Sequence, residues 1–336
     1  MRNGVLGKII RIIGFLAFLT FAFFLVTWYG ISERGNAKYG VTFSTVMARE
    51  LSLDPRETYD AIVDDLGVRL IRLPVYWSDI EREDGKFDFS EYDYFFARAE
   101  EKGVELIPVV GRKLPRWPEC HIPEWSKSLS ASEFQKRVED EIRAVVSRYA
   151  KSPAVIRWQI ENESFHIYGA GCADKKIATA DIDAEIALVR SFDSRPIMLT
   201  DSGEQGIWSS SLKRAEYLGI SAYYQVWNDT LKVVRFPFGP GFYRIKGFLF
   251  GWFYPDKKII VSELQAEPWG PVLLPYVDFE LQLRLMNEER FREVIRRARL
   301  AGFEENILWG AEWWYWLAHE HNDWGMWEMA KQLLGS

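Results

Sequence analysis

"AVIRWQIENE", Ala154 to Glu163, decides how this chain is read. An apolar, β-branched run enters it, and it leaves on two carboxylates and an amide where a buried strand should be stopping. Working outward, short β-rich runs alternate with helical patterns from about Ala37 onward, the mark of βα units and a parallel sheet. "YGVTFS" (Tyr39–Ser44), "VRLIRLPVYW" (Val68–Trp77) and "VELIPVVG" (Val104–Gly111) come before it. "RPIMLTD" (Arg195–Asp201), "YLGISAYY" (Tyr217–Tyr224), "KKIIVSELQ" (Lys257–Gln265) and "NILWGAEWW" (Asn306–Trp314) follow. Between them lie helix signals: Asp54 as cap with Pro55 in the first turn, Ser90 as cap, and the capping box "SASE" at Ser130–Glu133. Eight strand–helix repeats in about 300 residues is the count of a (β/α)8 TIM barrel in the α/β class. A doubly wound sheet would need a Gly-rich first turn, and "YGVTFS" is no G-x-G-x-x-G. The barrel is placed at residues 37–336.

The N-terminus reads differently. "IIGFLAFLTFAFFLVTWY", Ile12 to Tyr29, carries no charge, and Arg2, Lys8 and Arg11 precede it. A helix needs about 20 mostly apolar residues to cross a bilayer, which this stretch reaches when extended through Gly30 and Ile31. Residues 1–36 are therefore expected to form a basic cytoplasmic tip, one N-terminal transmembrane helix and a short linker, with the bilayer met through residues 12–31. A cleaved signal peptide competes with this signal anchor, but no A-x-A site is evident near Trp28 to Ser32. Either way the barrel is expected to be extracytoplasmic.

Hydrophobic residues make up 48% and charged residues 27%, the balance of a globular chain with a large core. The aromatic share is 15%, with 15 Trp, and Trp and Tyr offer flat faces with a polar edge suited to sugars as well as to a core. A net charge of −6 with no basic run argues against nucleic acid. No cofactor or metal is implied, since "HEHND" (His319, His321) has no matching histidine pair elsewhere. No G-x-S-x-G elbow is present, which removes an esterase.

In a TIM barrel, function collects at the carboxyl ends of the strands. Those ends supply Arg72, Tyr76 and Trp77 from the second run, Arg112 from the third, and Asn162 and Glu163 from the fourth. Asp201, Tyr223 and Tyr224, Glu263, and Glu312 with Trp313 complete the ring. Cleaving a glycosidic bond calls for two carboxyl groups flanking the anomeric carbon, one protonated and one ionised. Strands four and seven stand roughly opposite in an eight-strand ring, so Glu163 and Glu263 would face one another across the mouth.

On "WQIENE" (Trp158–Glu163) with "VSELQAEPW" (Val261–Trp269), the chain resembles the retaining glycoside hydrolases of clan A, and most closely the cellulase-like family 5. The resemblance runs from about Ala37 to Leu334. It implies Glu163 as acid/base, Glu263 as nucleophile, and Asn162 as hydrogen-bond partner of the sugar 2-hydroxyl. It implies Arg72 as the cation holding the nucleophile, Tyr223 (or Tyr224) as the tyrosine touching it, and Trp313 (or Trp309) as the floor under the sugar. One departure stands out: family 5 usually carries a histidine before the strand-six tyrosine, where this chain has Ser221, Ala222 and Tyr223. Glu161 shares parity with Glu163 and is expected to be a buried partner of a barrel charge such as Arg157; Glu267 is expected at the rim. Trp77 and Trp269 fall after strands and are expected to stack on sugar rings.

Cys120 and Cys172 lie in the loops after strands three and four, which are side by side, so a disulfide clamping the rim is expected. Residues 233–258, "VVRFPFGPGFYRIKGFLFGWFYPDKK", mix Phe and Trp with Arg235, Arg244 and Lys246, a pattern that fits a second contact with lipid, helix six and its flanks packing on the barrel, or an aromatic wall for a glycan. The expected protein is a membrane-anchored monomer, a retaining β-glycosidase acting by double displacement on an oligo- or polysaccharide. A transglycosylase using the same carboxylates, or a non-catalytic glycan-binding barrel, are the alternatives.

Overall fold

The computed structural model describes residues 2–29, 33, 37–165 and 177–335. Eight parallel strands close into a barrel in chain order. They are β1 (Lys38–Thr42), β2 (Leu70–Pro74), β3 (Glu105–Val110), β4 (Trp158–Ile160), β5 (Ile197–Ser202) and β6 (Tyr217–Ala222), then β9 (Lys258–Leu264) and β10 (Glu305–Leu308). Between β6 and β9 the chain adds an antiparallel hairpin of β7 (Gln225–Asn228) and β8 (Lys232–Arg235). Its turn is fixed by the Asn228 side chain, whose Oδ1 accepts from the backbone N–H of Thr230 and of Leu231. The expected (β/α)8 architecture is therefore present, with a hairpin that the alternation of the runs did not announce.

The helices are α1 (Arg2–Tyr29), α2 (Thr45–Glu50), α3 (Pro55–Asp64), α4 (Trp77–Ile80), α5 (Ser90–Lys102), α6 (Ala131–Tyr149) and α7 (Thr179–Phe192). After these come α8 (Ser209–Leu212), α9 (Pro240–Phe253), α10 (Phe279–Leu285), α11 (Glu288–Ala301), α12 (Ala311–His321) and α13 (Gly325–Leu334). Their starts follow the capping chemistry in the sequence: Asp54 accepts from Arg56 and Glu57, and Ser130 and Glu133 form a reciprocal box. The apolar faces of these helices and the outer faces of the strands form one continuous core around the barrel. The barrel interior is filled by a layer of Leu70, Ile107, Met198, Ile260 and Ile307, so the bottom of the barrel is closed.

The transmembrane expectation is corrected. No helix among the described residues is long and apolar enough to cross a membrane. The basic tip is not separate from the apolar run, because α1 starts at Arg2 and carries Lys8 and Arg11 within it. Its far end rests on protein: Thr27 is buried, and the backbone of Gly241 in α9 approaches it so closely that a Cβ there would lie 2.7 Å from the Thr27 Cα. The lipid contact expected through residues 12–31 falls with that span. In the 233–258 segment, β8 leads into α9, which shows Phe248, Leu249, Trp252 and Phe253 on its outer face.

Candidate active site

β4 is short and ends at Ile160, and the chain then turns sharply: Glu161 and Glu163 both have left-handed backbone, with φ of 54° and 43°. Such a conformation is strained for a residue with a Cβ and persists only where the surroundings hold it. The two acids, of one parity in the sequence, part here. Glu161 is completely buried and turns toward the loop after β3, accepting from the N–H of Arg112 (3.0 Å) and of Lys113 (2.6 Å) and pairing with the Arg112 guanidinium. Its place is made by Gly111, where a Cβ would lie 2.5 Å from the Glu161 carboxyl carbon. The partner is thus Arg112 and not Arg157, which pairs with Glu305.

Glu163 turns the other way and, unlike Glu161, is only partly buried. Its N–H donates to Thr200 Oγ1 at 2.8 Å, and its Oε1 accepts from Ser221 Oγ at 3.0 Å. Ser221, the donor to Glu163, stands in strand register with Glu263 on the neighbouring strand, just past an irregularity at Ile220. Burial, then the negative charges of Glu263 and Glu119, push the Glu163 carboxyl up to about 8. It keeps its proton at neutral pH.

Glu263 is held between a guanidinium and a phenol. Arg72, completely buried, donates from Nη1 to Glu263 Oε1 at 2.8 Å, and the Tyr223 hydroxyl donates to Oε2 at 2.7 Å. The same guanidinium donates from Nη2 to Asn162 Oδ1 at 2.8 Å and from Nε to Gln159 Oε1 at 2.7 Å. Thr200 Oγ1 adds a bond to Asn162 Oδ1 at 3.0 Å. Arg72, Asn162, Glu163, Tyr223 and Glu263 are therefore brought together, with Arg72 and Asn162 beneath and Glu263 facing a cleft of about 370 Å³.

The cleft is walled by Trp269, Trp117, Trp227 and Trp309 and also by Glu119, Glu267 and Arg116. Trp269 meets Tyr223 edge to face, with ring centroids 5.0 Å apart. Arg116 donates from both terminal nitrogens to Glu267, at 2.6 and 3.0 Å, and lies over the Trp309 ring at 4.5 Å. Three expected residues do not reach the cleft. Trp77 is buried in the core and donates to Glu81; Trp313 is buried on α12 and donates to Gln282 at 2.8 Å; Tyr224 is buried against Tyr243. Trp309, the alternative to Trp313, is the one on the cleft. Sequence reasoning missed Arg116 and Glu119, which sit on a loop without periodicity; their only signal was charge interleaved with aromatics in "RWPECH".

Cys120 is disulfide-bonded, and Cys172, its expected partner, lies outside the described residues. Among the described residues no group of three or more His, Cys, Asp or Glu is arranged to hold a metal ion. His319 and His321 stack on Tyr315 and Phe279 instead.

Residues 34–179 match the family model of glycosyl hydrolase family 10, a stretch short of half the chain. No curated protein matches. Among solved structures, the chain is similar to a β-galactosidase from the Antarctic haloarchaeon Halorubrum lacusprofundi (14% identity, TM-score 0.54, covering 81% of this chain and 52% of that one). It is also similar to a β-galactosidase from the psychrophilic Marinomonas ef1 (12%, TM-score 0.54, 81% and 53%). A third is a GH5_18 protein from Streptomyces cattleya, in complex with GlcNAc (12%, TM-score 0.55, 83% and 71%). At such identities these structures show the barrel fold alone, and the chain spans about half the length of the two β-galactosidases. The family match is to family 10, where the sequence resembles family 5. At the level of the clan the match agrees with the expectation: over residues 34–179 the chain is similar to a glycoside hydrolase family of clan A, and it is built on a TIM barrel.

Proposed function

We propose that the protein is a retaining β-glycosidase in which Glu263 is the nucleophile and Glu163 the acid/base. One observation carries this reading: one carboxylate is clasped between Arg72 and Tyr223, and the serine in strand register with it donates to a carboxyl pushed up to about 8. In the first step a Glu263 carboxylate oxygen bonds the anomeric carbon as the glycosidic C–O bond breaks, and Glu163 gives its proton to the departing oxygen. The Glu163 carboxylate then takes a proton from water, whose oxygen bonds the anomeric carbon as the ester to Glu263 breaks. Glu163 ends protonated and Glu263 ionised, as they began. A sugar hydroxyl in place of that water gives transglycosylation with the same residues.

The substrate class is a β-linked oligo- or polysaccharide, in keeping with a cleft whose indoles at Trp269, Trp117 and Trp227 offer faces to sugar rings. The disulfide at Cys120 supports an oxidising, extracytoplasmic setting for the barrel. A panel of 4-nitrophenyl β-glycosides followed by proton NMR tests the reading. Release of the β-anomer first, with turnover abolished in Glu263→Gln, is expected. First-formed α-product removes double displacement, and equal turnover in Glu263→Gln removes Glu263. The binding-module alternative predicts glycan binding with no turnover in the parent.

A further inference from the structure

Glu119 is a third acid at this site, and the reaction as described does not use it. It lines the cleft beside Glu263 and Tyr223, with its side chain only 15% exposed. Among the described residues its cationic partner is Lys113, whose Nζ lies 3.3 Å from Oε2. Its other oxygen, Oε1, accepts from Asn162 Nδ2 at 2.8 Å. Burying a carboxylate beside two more acids is unfavourable, and burial together with the Glu263 charge holds the Glu119 carboxyl above its ordinary range. The loop nonetheless goes to lengths to keep it there. Arg116 and Glu119 take left-handed backbone at φ of 99° and 66°, Glu119 bonds back to Leu114 through its carbonyl, and the next residue, Cys120, pairs with Lys113 in a β-bridge and is disulfide-bonded. A loop that needed only to close would satisfy itself with a neutral side chain at this position.

The geometry says what the acid faces. One guanidinium, Arg72, holds Glu263 on one nitrogen and Asn162 on the other, so Asn162 lies immediately beside the nucleophile. The contacts to Asn162 Oδ1 from Arg72, Thr200 and Gln159 fix its amide NH₂ toward Glu119. Tyr223 and Trp269 occupy another flank of Glu263. A sugar whose anomeric carbon meets Glu263 carries C2 one bond away, and hydrogen bonds at C2 that strengthen in the transition state are a recognised source of catalysis.

We infer that Glu119 is a specificity-determining residue that accepts a hydrogen bond from the C2 substituent of the sugar bound at Glu263, selecting β-glycosides with a C2 donor, a hydroxyl or an ammonium. A 2-deoxy sugar leaves the buried carboxylate without its ligand, and an N-acetyl group presents it with a carbonyl oxygen and a methyl. The inference rests on Glu263 being the nucleophile.

The test measures kcat/KM for 4-nitrophenyl β-glucoside, β-galactoside and β-xyloside, each beside its 2-deoxy and 2-amino-2-deoxy counterparts, in the parent, Glu119→Ala and Glu119→Gln. The parent is expected to favour the 2-hydroxy over the 2-deoxy sugar by about 100-fold, and Glu119→Ala to shrink that ratio at least about tenfold. Glu119→Gln keeps the shape and an acceptor oxygen but loses the charge. A selective fall on the 2-amino sugars assigns the ammonium, and an equal fall on the 2-hydroxy and 2-amino sugars that spares the 2-deoxy sugars assigns the hydroxyl. A purely structural Glu119 lowers all substrates together; an unchanged ratio in both variants overturns the inference while Glu263 keeps its role. If the parent turns over none of the nine glycosides, the nucleophile assignment fails and takes this inference with it.

Discussion

Two clusters of buried acids, on either side of β4, carry nearly the same ingredients and lead to different ends. At the mouth stand Glu163 and Glu263 with Arg72; behind β3 and β4 stand Glu141, Glu161 and Glu185 with Arg112. Arg112 Nη2 lies 2.9 Å from Glu185 Oε1, and its Nε 3.3 Å from Glu161 Oε1. Burial, then the charge of Glu161, pushes Glu185 up to about 8, the same level that Glu163 reaches. A displaced titration beside an arginine therefore does not identify a reacting carboxyl. What separates the two is access. Glu263 opens on the cleft, whereas Glu141, Glu161 and Glu185 are completely buried between α6, α7 and the strands, and none of them lines the cleft.

The sharpest way to break this comparison is to remove one acid from each cluster. Glu263→Ala is expected to reduce kcat by about 10⁴-fold or more, since no other group can form the covalent bond. Glu185→Gln is expected to change kcat by less than about threefold and to act on stability, by about 1–3 kcal/mol, because it takes one of the carboxylate partners from buried Arg112. Steady-state kinetics on one aryl glycoside, with thermal melts of both variants, decides it. A large kinetic loss in Glu185→Gln would mean the rear cluster takes part in the chemistry.

Glu163→Gln sharpens the contrast through pH. General acid catalysis contributes about 10²–10⁴-fold, so kcat/KM for a poor leaving group should fall by that factor, and far less for an activated aryl leaving group. In the parent, rate is expected to decline as pH rises through about 8, where the Glu163 carboxyl loses its proton. Neutralising Glu119 removes a negative neighbour and moves that limb to lower pH, the sign set by like-charge repulsion. A limb that stays in place in Glu119→Gln would show that another group governs it.

The barrel was legible because its signal is repetitive: eight β-rich runs alternating with helices leave few topologies. Arg72, Glu163, Tyr223 and Glu263 were legible because they lie on or just past strand ends, where position along the run predicts direction. What failed did so where a strand stopped earlier than its apolar run. "NILWGAEWW" reads as one strand, yet β10 ends at Leu308, Gly310 turns at φ of 118°, and α12 begins at Ala311. Trp313 consequently points by helical geometry into the core, and Trp309, before the turn, takes the cleft. The same early stop after Ile160 lets Glu161 and Glu163 diverge despite their shared parity. Glu119 was invisible for a different reason: an ion pair to Lys113 within its own irregular loop and one long-range contact, to Asn162, define it, and neither has a sequence period.

The smallest effect expected belongs to the rear cluster alone, and it is one of stability. Burial, then Glu161, holds the Glu141 carboxyl well above its ordinary value, so the folded protein keeps a proton there that the unfolded chain releases near pH 4.5. A raised folded pKa contributes stability that is fully present below the unfolded value and is lost as pH rises toward the folded one. Between pH 5 and pH 8 the fold must take up that proton from an increasingly poor supply, at about 1.4 kcal/mol per pH unit at most. Glutamine at 141 is neutral at both pH values and escapes this cost, while its amide needs a partner that the carboxyl did not. Glu141→Gln is thus expected to raise Tm relative to the parent by about 2–4 °C at pH 8 and to confer no gain at pH 5. An equal Tm difference at the two pH values would show that Glu141 is ionised in the fold, and the rear cluster would then be a second charged network, no longer the neutral counterpart of the mouth.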